Sequence, residues 1–301
     1  MGLFSSRPNE RPTTTSGGTV NDDAVALLAC PHCGSDLEAD DPDSGSAALL
    51  CDRGHTFDVA RQGYVSLLSG SGGKIVGDST EMVAARAEFL DRGHYDPLMD
   101  AVADAVGDRR RVLDVGVGTG HYLARVLDAG VPDAVGVGLD VSKAAARRAA
   151  RSHPRASAVV ADVWQSIPVR SGVIDAALSV FSPRNAEELA RVLAPAGVLV
   201  VLTPTERHLV ELVDDLGLVR VDENKTQRLG DTLGSRFERV RRVPITYSTT
   251  LTRDEIVDVV SMGPSARHIP AADLRARVDE MPPAREVTVS VTLGVYARAA
   301  A

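Results

Sequence analysis

The chain has 301 residues, of which 44% are hydrophobic and 25% charged, and its formal net charge at pH 7 is −8. This length suits one enzyme-sized domain together with a small additional module. The acidic balance argues against a protein that coats nucleic acid non-specifically, although an RNA enzyme with clustered cations is compatible with it. No apolar run reaches the ~18 residues that a membrane span requires, so we expect no membrane partner.

The first segment, residues 1–23, is rich in Ser, Thr, Pro and Gly and poor in large apolar side chains. Such a composition buries too little apolar surface to fold alone, so it predicts a disordered tail. The segment also lacks the apolar stretch of a secretory signal peptide. We therefore expect a cytoplasmic protein whose cysteines stay reduced.

A cluster of potential metal ligands follows the tail, because all three cysteines of the chain fall between positions 30 and 51. Cys30 and Cys33 form a C-x2-C pair, and Cys51 is followed after three residues by His55. Two such half-sites supply the four ligands of a tetrahedral zinc ion, and a metal stabilises a segment too short for its own core. His32 is an alternative ligand, but His55 completes the second half-site. The spacing therefore predicts structural Zn2+ on Cys30, Cys33, Cys51 and His55 rather than three incidental cysteines.

Composition divides the remaining chain. The zinc ligands define a module over residues 24–68, and a stretch rich in Ser and Gly within residues 69–80 predicts a flexible linker. Residues 81–301 form the predicted enzyme domain. Its first helix has Ser79 or Thr80 as a predicted N-cap, because apolar residues recur from there at three- and four-residue steps.

Buried strands then alternate with helices along the chain. The predicted strands are residues 111–115, 134–139, 157–160, 174–181 and 198–202, and the predicted helices are residues 119–127, 143–151 and 186–193. This alternation indicates a parallel sheet with helices on both faces.

The C-terminal part breaks that rhythm. Residues 245–251 and 287–296 alternate like antiparallel strands, and a helix with a capping box begins between them near Thr252. The predicted fold class is therefore α/β. It combines a Rossmann-like class I methyltransferase sheet, an antiparallel C-terminal strand pair and a small N-terminal zinc-binding module.

A glycine loop marks the predicted cofactor site. Gly116, Gly118 and Gly120 follow the first strand and open a helix, where backbone can approach a ligand closely. A dinucleotide fingerprint would need glycine at position 121, which is His121, whereas G-x-G-x-G is the spacing used for S-adenosylmethionine. The loop therefore predicts S-adenosylmethionine as the cofactor.

Two acidic residues extend this prediction. Asp140 ends the second strand and can accept hydrogen bonds from both ribose hydroxyls, or it can stabilise the start of the following helix. Asp162 ends the third strand, where it can accept from the adenine amino group or remain a solvated loop acid. Trp164 either lines the same pocket or packs in the core.

Several segments, in this order along the chain, resemble the bacterial 23S rRNA guanine-N1 methyltransferases: the zinc knuckle, GDSTEM at 77–82, FLDRGHY at 89–95 and the glycine loop. The similarity covers roughly residues 28–215. VFSPRN at 180–185 resembles the branch that includes the tylosin-resistance enzymes. The resemblance implies methylation of N1 of a guanine in a 23S rRNA hairpin loop, and we expect the zinc module to help recognise this hairpin. As a further expectation, the resemblance implies resistance to tylosin-like drugs.

The resemblance also carries site residues and a homodimer as expectations. It implies cofactor contacts from Tyr95, from Gly118 and Thr119 in the glycine loop, and from His208. Thr119 stands where some family members have an acidic residue, so its contact is expected to come from the backbone. The alternatives are that Tyr95 is a core aromatic residue and that His208 is a helix residue without a ligand.

The loop after the fourth predicted strand lies where this fold usually holds the target base. Phe181 is a candidate to stack on the guanine, or else packs in the core, and the backbone around Pro183 is a candidate acceptor. The sequence identifies no general base. Clustered arginines are candidate RNA contacts, although each run is more typical of a solvated face. They occupy positions 109–111, 147, 148, 151, 155, 228, 236, 239, 241 and 242.

Two other functions fit parts of the sequence. A small-molecule methyltransferase would share the segment RVLAPAG at 191–197, but it would leave the zinc knuckle without a role. A zinc-binding adaptor with a degenerate methyltransferase fold would not require the intact glycine loop and Asp140. The enzyme acting on 23S rRNA explains all of these features.

Overall fold

The computed structural model describes residues 20–40, 47–70, 76–218, 233–234 and 236–299. Within these ranges the strands are β1 (Glu38–Ala39), β2 (Ala48–Leu50), β3 (Thr56–Asp58), β4 (Tyr64–Ser66), β5 (Arg111–Val115), β6 (Val135–Asp140), β7 (Ala156–Val160), β8 (Ile174–Val180), β9 (Leu193–Pro204), β10 (Phe237–Thr252) and β11 (Ala284–Arg298). The helices are α1 (Asp22–Val25), α2 (Thr80–Asp91), α3 (Asp96–Val106), α4 (His121–Ala129), α5 (Lys143–Ala149), α6 (Ala186–Val192), α7 (Val210–Leu216), α8 (Arg253–Ser261) and α9 (Ala271–Asp279), with a 3-10 turn at Pro264–Arg267. None of these helices is long and apolar enough to span a membrane.

An eight-stranded sheet forms the centre of the molecule, in the order β10-β11-β9-β8-β5-β6-β7-β4. The strands from β4 to β9 in this sheet pair in parallel, whereas β11 runs antiparallel to β9, and β10 antiparallel to β11. The predicted parallel sheet with an antiparallel C-terminal pair is confirmed. The pair is longer than predicted, since it extends from Phe237 opposite Arg298 to Thr252 opposite Ala284. The arginines at positions 239, 241 and 242 interrupt the apolar alternation in the first part of β10, so the sequence pattern did not predict this extension.

Helices cover both faces of the sheet, as the strand pattern requires. Along β5, Val112 belongs to one apolar cluster, while Leu113 and Val115 belong to the other. Buried side chains of α2–α5 and α7–α9 lie in the first cluster, and those of α1, α6 and the zinc segment lie in the second. Burying each Leu or Val stabilises the fold by about 1.5–3 kcal/mol relative to exposure.

One strand of the zinc segment, which is predicted as a module over residues 24–68, joins the central sheet. Strands β1 to β3 form a small antiparallel sheet, but β4 pairs with β7 and becomes the edge of the eight-stranded sheet. Three residues are too few to reveal a strand by alternation. Within the part of the predicted tail that the structure describes, Asn21 caps α1 and its backbone N–H donates to the Ser157 hydroxyl. The predicted tail at residues 1–19 lies outside the described residues.

Of the predicted linker over residues 69–80, residues 71–75 lie outside the described part of the chain, and the structure shows contacts of the residues that follow them. The Asp78 carbonyl accepts a 2.7 Å hydrogen bond from the Ser142 hydroxyl, and its carboxylate pairs with Arg86 at 2.7 Å. A Cβ atom on Gly77 would lie 2.9 Å from Ser142, so this close approach requires glycine. Ser79 then caps α2 through a hydrogen bond from Met82 N, as predicted.

Candidate functional site

The four predicted metal ligands converge within the zinc segment. The ligand atoms of Cys30, Cys33, Cys51 and His55 all lie within 4.8 Å of one another. Sγ of Cys33 and Sγ of Cys51 are 3.7 Å apart, and Nδ1 of His55 lies 3.3 Å from Sγ of Cys51 and 3.5 Å from Sγ of Cys30. A tetrahedral zinc ion with ordinary bond lengths requires about 3.8 Å between sulfur atoms and about 3.6 Å between sulfur and nitrogen. The residues therefore fit a structural zinc ion.

Two tight turns hold these ligands. In the first, Gly34 N donates to the Cys30 carbonyl, and in the second, Gly54 N donates to the Cys51 carbonyl. Both glycines have positive φ, 73° and 81°, which a residue with a side chain adopts only under strain. His32, the alternative ligand, instead stacks on Phe57 with ring centroids 5.8 Å apart.

A cavity of about 440 Å³ opens at the carboxyl ends of β5, β6, β7 and β8. Parallel α/β sheets bind ligands at this edge, where the strand order reverses, and ~300–1,000 Å³ is the usual volume of such sites. Most of the predicted cofactor and target-base residues line it, namely Tyr95, Gly116, Gly118, Thr119, Asp140, Asp162, Phe181 and Pro183. Trp164 also lines it and is 59% exposed, so it belongs to the rim and not to the core.

The glycine loop owes its shape to positive φ at Gly116, Gly118 and Gly120. A Cβ atom on Gly116 would lie 2.5 Å from the Cβ of Ser182 in the next loop. Gly120 was predicted to contact the cofactor, but it is absent from the residues that line the cavity. It forms the N-cap of α4, where a Cβ atom would lie 2.4 Å from Oγ of Ser152. Gly120 thus allows α4 to pack against the end of α5.

Asp140 lies both at the cavity and at the start of α5. Its Oδ2 accepts from Gly118 N at 3.0 Å, and its Oδ1 accepts from Ser142 N at 2.8 Å. The carboxylate therefore braces the glycine loop and the start of α5 while it lines the cavity. Burial raises its pKa, and the two backbone N–H groups oppose that rise.

Asp162 holds its own loop at the end of β7. Its Oδ1 accepts from Trp164 N at 2.9 Å, and its Oδ2 accepts from the Gln165 side chain at 3.1 Å. The residue is only 9% exposed, which excludes the solvated loop acid that was the alternative. It lies at the cavity wall, where a carboxylate can accept a further hydrogen bond.

Asp114 is a cavity residue that the sequence did not single out. It is 2% exposed, and its Oδ1 has no hydrogen-bond partner among the described residues. Burial, and then the negative charge of Asp140, raise the pKa of Asp114 to about 7. An unpaired buried carboxyl is costly, so a ligand that brings a cation or a donor to it is favoured. S-adenosylmethionine carries an ammonium group and hydroxyl donors, so the cavity fits this cofactor. The signal in the sequence that identifies Asp114 is an acidic residue among the apolar side chains of the strand RVLDV, residues 111–115.

Two aromatic side chains, Tyr95 and Phe181, form another part of the cavity wall. Ser290 N donates to Nδ1 of His208 at 3.2 Å, so Nδ1 is an acceptor and the proton of the neutral ring is on Nε2. This Nε2 lies 3.1 Å from the Tyr95 hydroxyl, and the His208 ring stacks on Phe181 at a centroid distance of 6.0 Å. Tyr95 is buried yet lines the cavity, whereas His208 supports it from behind. Both side chains are therefore fixed in place by hydrogen bonds and ring contacts.

The predicted arginine runs separate by environment. Arg111 forms a bidentate pair with Asp175, and Arg155 donates to a group of backbone carbonyls that includes those of Val131 and Ala134. These two are structural and not free to contact RNA. The side chains at 147, 148 and 151 are exposed beside a groove, and those at 239, 241 and 242 are exposed on β10. Position 228 lies outside the described residues.

Comparison with known proteins agrees with this architecture. A family described as "RlmA, N-terminal", a zinc ribbon, matches residues 28–70, and one described as "Methyltransferase domain" matches residues 112–197. A 23S rRNA (guanine(748)-N(1))-methyltransferase of Streptomyces fradiae is 49% identical over 280 residues, which cover 90% of this chain and 96% of that protein. A Micromonospora griseorubida protein is 48% identical over 92% of this chain and 99% of its own, and a Bacillus subtilis protein is 31% identical over 89% and 96%. The names of both propose the same guanine-N1 reaction.

Identity of this level over nearly the whole of both chains is accompanied by the zinc ligands and the cofactor cavity in their expected places. This chain thus combines the fold of S-adenosylmethionine-dependent methyltransferases with a structural zinc centre. This protein belongs to the family of bacterial 23S rRNA (guanine-N1)-methyltransferases.

Proposed function

We propose that this protein transfers a methyl group from S-adenosylmethionine to N1 of a guanine in a hairpin loop of 23S rRNA. The observation that carries the proposal is the 49% identity, over 96% of its length, with the Streptomyces fradiae enzyme named for guanine 748. A zinc ribbon and a methyltransferase cavity in the same chain support it, because a ribbon beside the catalytic domain offers a surface for RNA.

S-adenosylmethionine, when bound, supplies an electrophilic methyl group. We propose that Asp140 accepts hydrogen bonds from its ribose and Asp162 from its adenine, since both carboxylates line the cavity. Asp114 would face its donor groups, and the backbone at Gly118 and Thr119 would lie against it. Because direct attack on a methyl group depends chiefly on alignment, these residues would act by positioning.

The target guanine is proposed to enter beside Phe181. This side chain is 42% exposed at the cavity, which argues against core packing as its only role. The backbone of Phe181 has a φ of 51°, which is unusual for a non-glycine residue. Strained backbone of this kind is found mainly at functional sites, where the surrounding structure enforces it. An exposed ring in this position offers a stacking surface for an extruded base, and the backbone around Pro183 offers acceptors for its edge.

The alternative functions account for less of the structure. A small-molecule methyltransferase has no use for the zinc centre, whose edge strand β4 is built into the catalytic sheet. A non-enzymatic adaptor has no reason to keep the unpaired carboxyl of Asp114 at the cavity.

A homodimer, cytoplasmic action and drug resistance belong to the same proposal. The homodimer is what the resemblance to the family implies. Light scattering coupled to size-exclusion chromatography tests the dimer, and fractionation of cells together with their ribosomes tests the location. A lower susceptibility to tylosin-like drugs in a sensitive host that expresses the protein tests the resistance, and an unchanged susceptibility would remove it.

Methyl transfer is tested with labelled S-adenosylmethionine and 23S rRNA that lacks the modification. The modified nucleotide is then mapped by arrest of primer extension. A single arrest at one guanine is expected, because a methyl group on N1 blocks the pairing edge. Cofactor binding without incorporation into either naked or ribosomal RNA would reject the proposal and favour a small-molecule substrate.

A further inference from the structure

A groove of about 750 Å³ runs between α2, α4 and α5, outside the cofactor cavity. Four cationic side chains of α5 and its C-terminal extension line it, namely Lys143, Arg147, Arg148 and Arg151. Among the described residues that line the groove, Asp91 is the acidic one. A concentration of positive charge in a chain with a net charge of −8 requires an explanation.

Pairing within the protein does not account for these cations. Arg148 lies 3.2 Å from Asp91, and the same carboxylate accepts from His121 at 2.9 Å. Lys143, Arg147 and Arg151 are exposed and have no ion pair among the described residues. The groove therefore keeps an excess of positive charge.

Stability of α5 accounts for only two of these four cations. Cations near the carboxyl end of a helix are favoured, which covers Arg147 and Arg148 in the last turn. Lys143 is the first residue of α5, where the helix dipole disfavours a cation. Lys143 and Arg147 are four residues apart on one face of α5, about 6 Å from each other, and Arg151 lines the same groove from the turn that follows the helix. A row of this kind is suited to a chain of regularly spaced anions.

The groove adjoins the cofactor cavity. Thr119 and His121 line both of them, so a polymer that lies in the groove reaches the mouth of the methyl-transfer site. Arg155, close by in sequence, turns inward onto backbone carbonyls and does not contribute.

We propose that this groove binds the phosphodiester backbone of the RNA substrate beside the target guanine, with Lys143, Arg147 and Arg151 as the phosphate contacts. This inference rests on the proposed function and adds the surface that holds the substrate. The zinc segment packs with the opposite face of the sheet, so the RNA would be held from both sides of the strand ends.

The experiment compares two triple variants that lose the same charge. The first is Lys143→Ala/Arg147→Ala/Arg151→Ala. The control is Arg239→Ala/Arg241→Ala/Arg242→Ala, on β10 at the other edge of the sheet. Binding of a 23S rRNA transcript that carries the target hairpin without its methyl group is measured between 50 and 200 mM salt, and KM for methylation of the same transcript is also measured. Cofactor affinity and the unfolding temperature are followed in both variants.

Each lost phosphate contact lowers the slope of log affinity against log salt by about 0.7–0.9, so the groove variant should lose about 2–3 units of slope. Over this salt range, the wild type should then weaken by roughly 20- to 40-fold more than the groove variant. KM for RNA should rise while cofactor affinity is unchanged, and the control should resemble the wild type.

Equal slopes for the two variants and the wild type, with methylation intact, would overturn the groove while leaving the proposed function standing. An equal loss in both variants would also overturn it, since the effect would then be one of net charge. Absence of methylation by the wild type itself would reject the proposed function instead. The single variant Arg151→Ala, outside the helix, gives the same reading at about one third of the slope change if the triple variant does not fold.

Discussion

Asp114→Asn is the substitution that most directly tests the description of the cavity. Asparagine has nearly the same shape as aspartate but cannot ionise, so it removes the charge that burial makes costly. The pKa of Asp114 is raised from 3.8 to about 7 by burial and by Asp140. A shift of about 3 units corresponds to a free-energy difference of at most about 4 kcal/mol between the protonated and ionised protein.

The sign of the pH dependence follows from proton binding. Between pH 4 and 7 the folded protein holds a proton on Asp114 that the unfolded chain has already lost. The associated stability is complete below the unfolded pKa and is lost as the pH rises through about 7. The asparagine side chain of the variant has no proton to lose, so the stability of the variant relative to the wild type should increase with pH.

The assay is thermal unfolding of the zinc-loaded, cofactor-free proteins at pH 5, 6, 7 and 8. From pH 5 to 7 the difference in unfolding free energy should change by about 2.3 kcal/mol, or roughly 5 °C in Tm. Affinity for S-adenosylmethionine should rise with pH in the wild type, because its ammonium group favours the carboxylate. In the variant it should be weak and independent of pH. A pH-independent difference in Tm would refute the buried, unpaired carboxyl.

Asp175→Asn is the matched control, because it replaces a carboxylate of the opposite character at the start of β8. Burial would raise the pKa of Asp175, but the hydrogen bonds from Arg111 outweigh it and hold the pKa below its usual range. Its stabilisation is present above the unfolded pKa and is lost only as the pH falls below it. The control variant should therefore be less stable than the wild type by a constant amount from pH 5 to 8.

Three further substitutions test the other parts of the site. Cys30→Ser should release zinc and lower Tm, whereas His32→Ala should retain one zinc per chain in metal analysis; retention of stoichiometric zinc by the first variant would contradict the four-ligand centre. Gly120→Ala combines a φ of 86° with a contact of 2.4 Å, so urea unfolding should show a loss of about 2 kcal/mol or more. Phe181→Ala should lower kcat/KM for RNA by about tenfold or more, the value of one lost stacking contact, with the affinity for S-adenosylmethionine unchanged. Unaltered kcat/KM would exclude stacking on Phe181.

Features that depend on short spacings were predictable from the sequence alone. The zinc ligands occur as two local half-sites, and the glycine loop joins one strand to one helix, so each motif carries its geometry within a few residues. The alternation of strands and helices likewise determined a parallel sheet and the edge at which its cofactor binds. The position of Asp140 at the cavity was predictable for the same reason, since Asp140 ends the strand that lies next to β5 and its glycine loop.

Features that depend on which distant residues meet were decided by the tertiary structure. The pKa of Asp114 is raised because the folded sheet buries this residue. Asp78 lies in the predicted linker, and its contacts with Ser142 and Arg86 form only in the folded protein. Arg151 and Arg155 cannot be distinguished by local sequence, yet Arg155 donates hydrogen bonds to backbone carbonyls and Arg151 lines a groove. Burial, charge and hydrogen bonding are properties of surroundings. The surroundings come from segments far apart in the chain, which a local pattern does not contain.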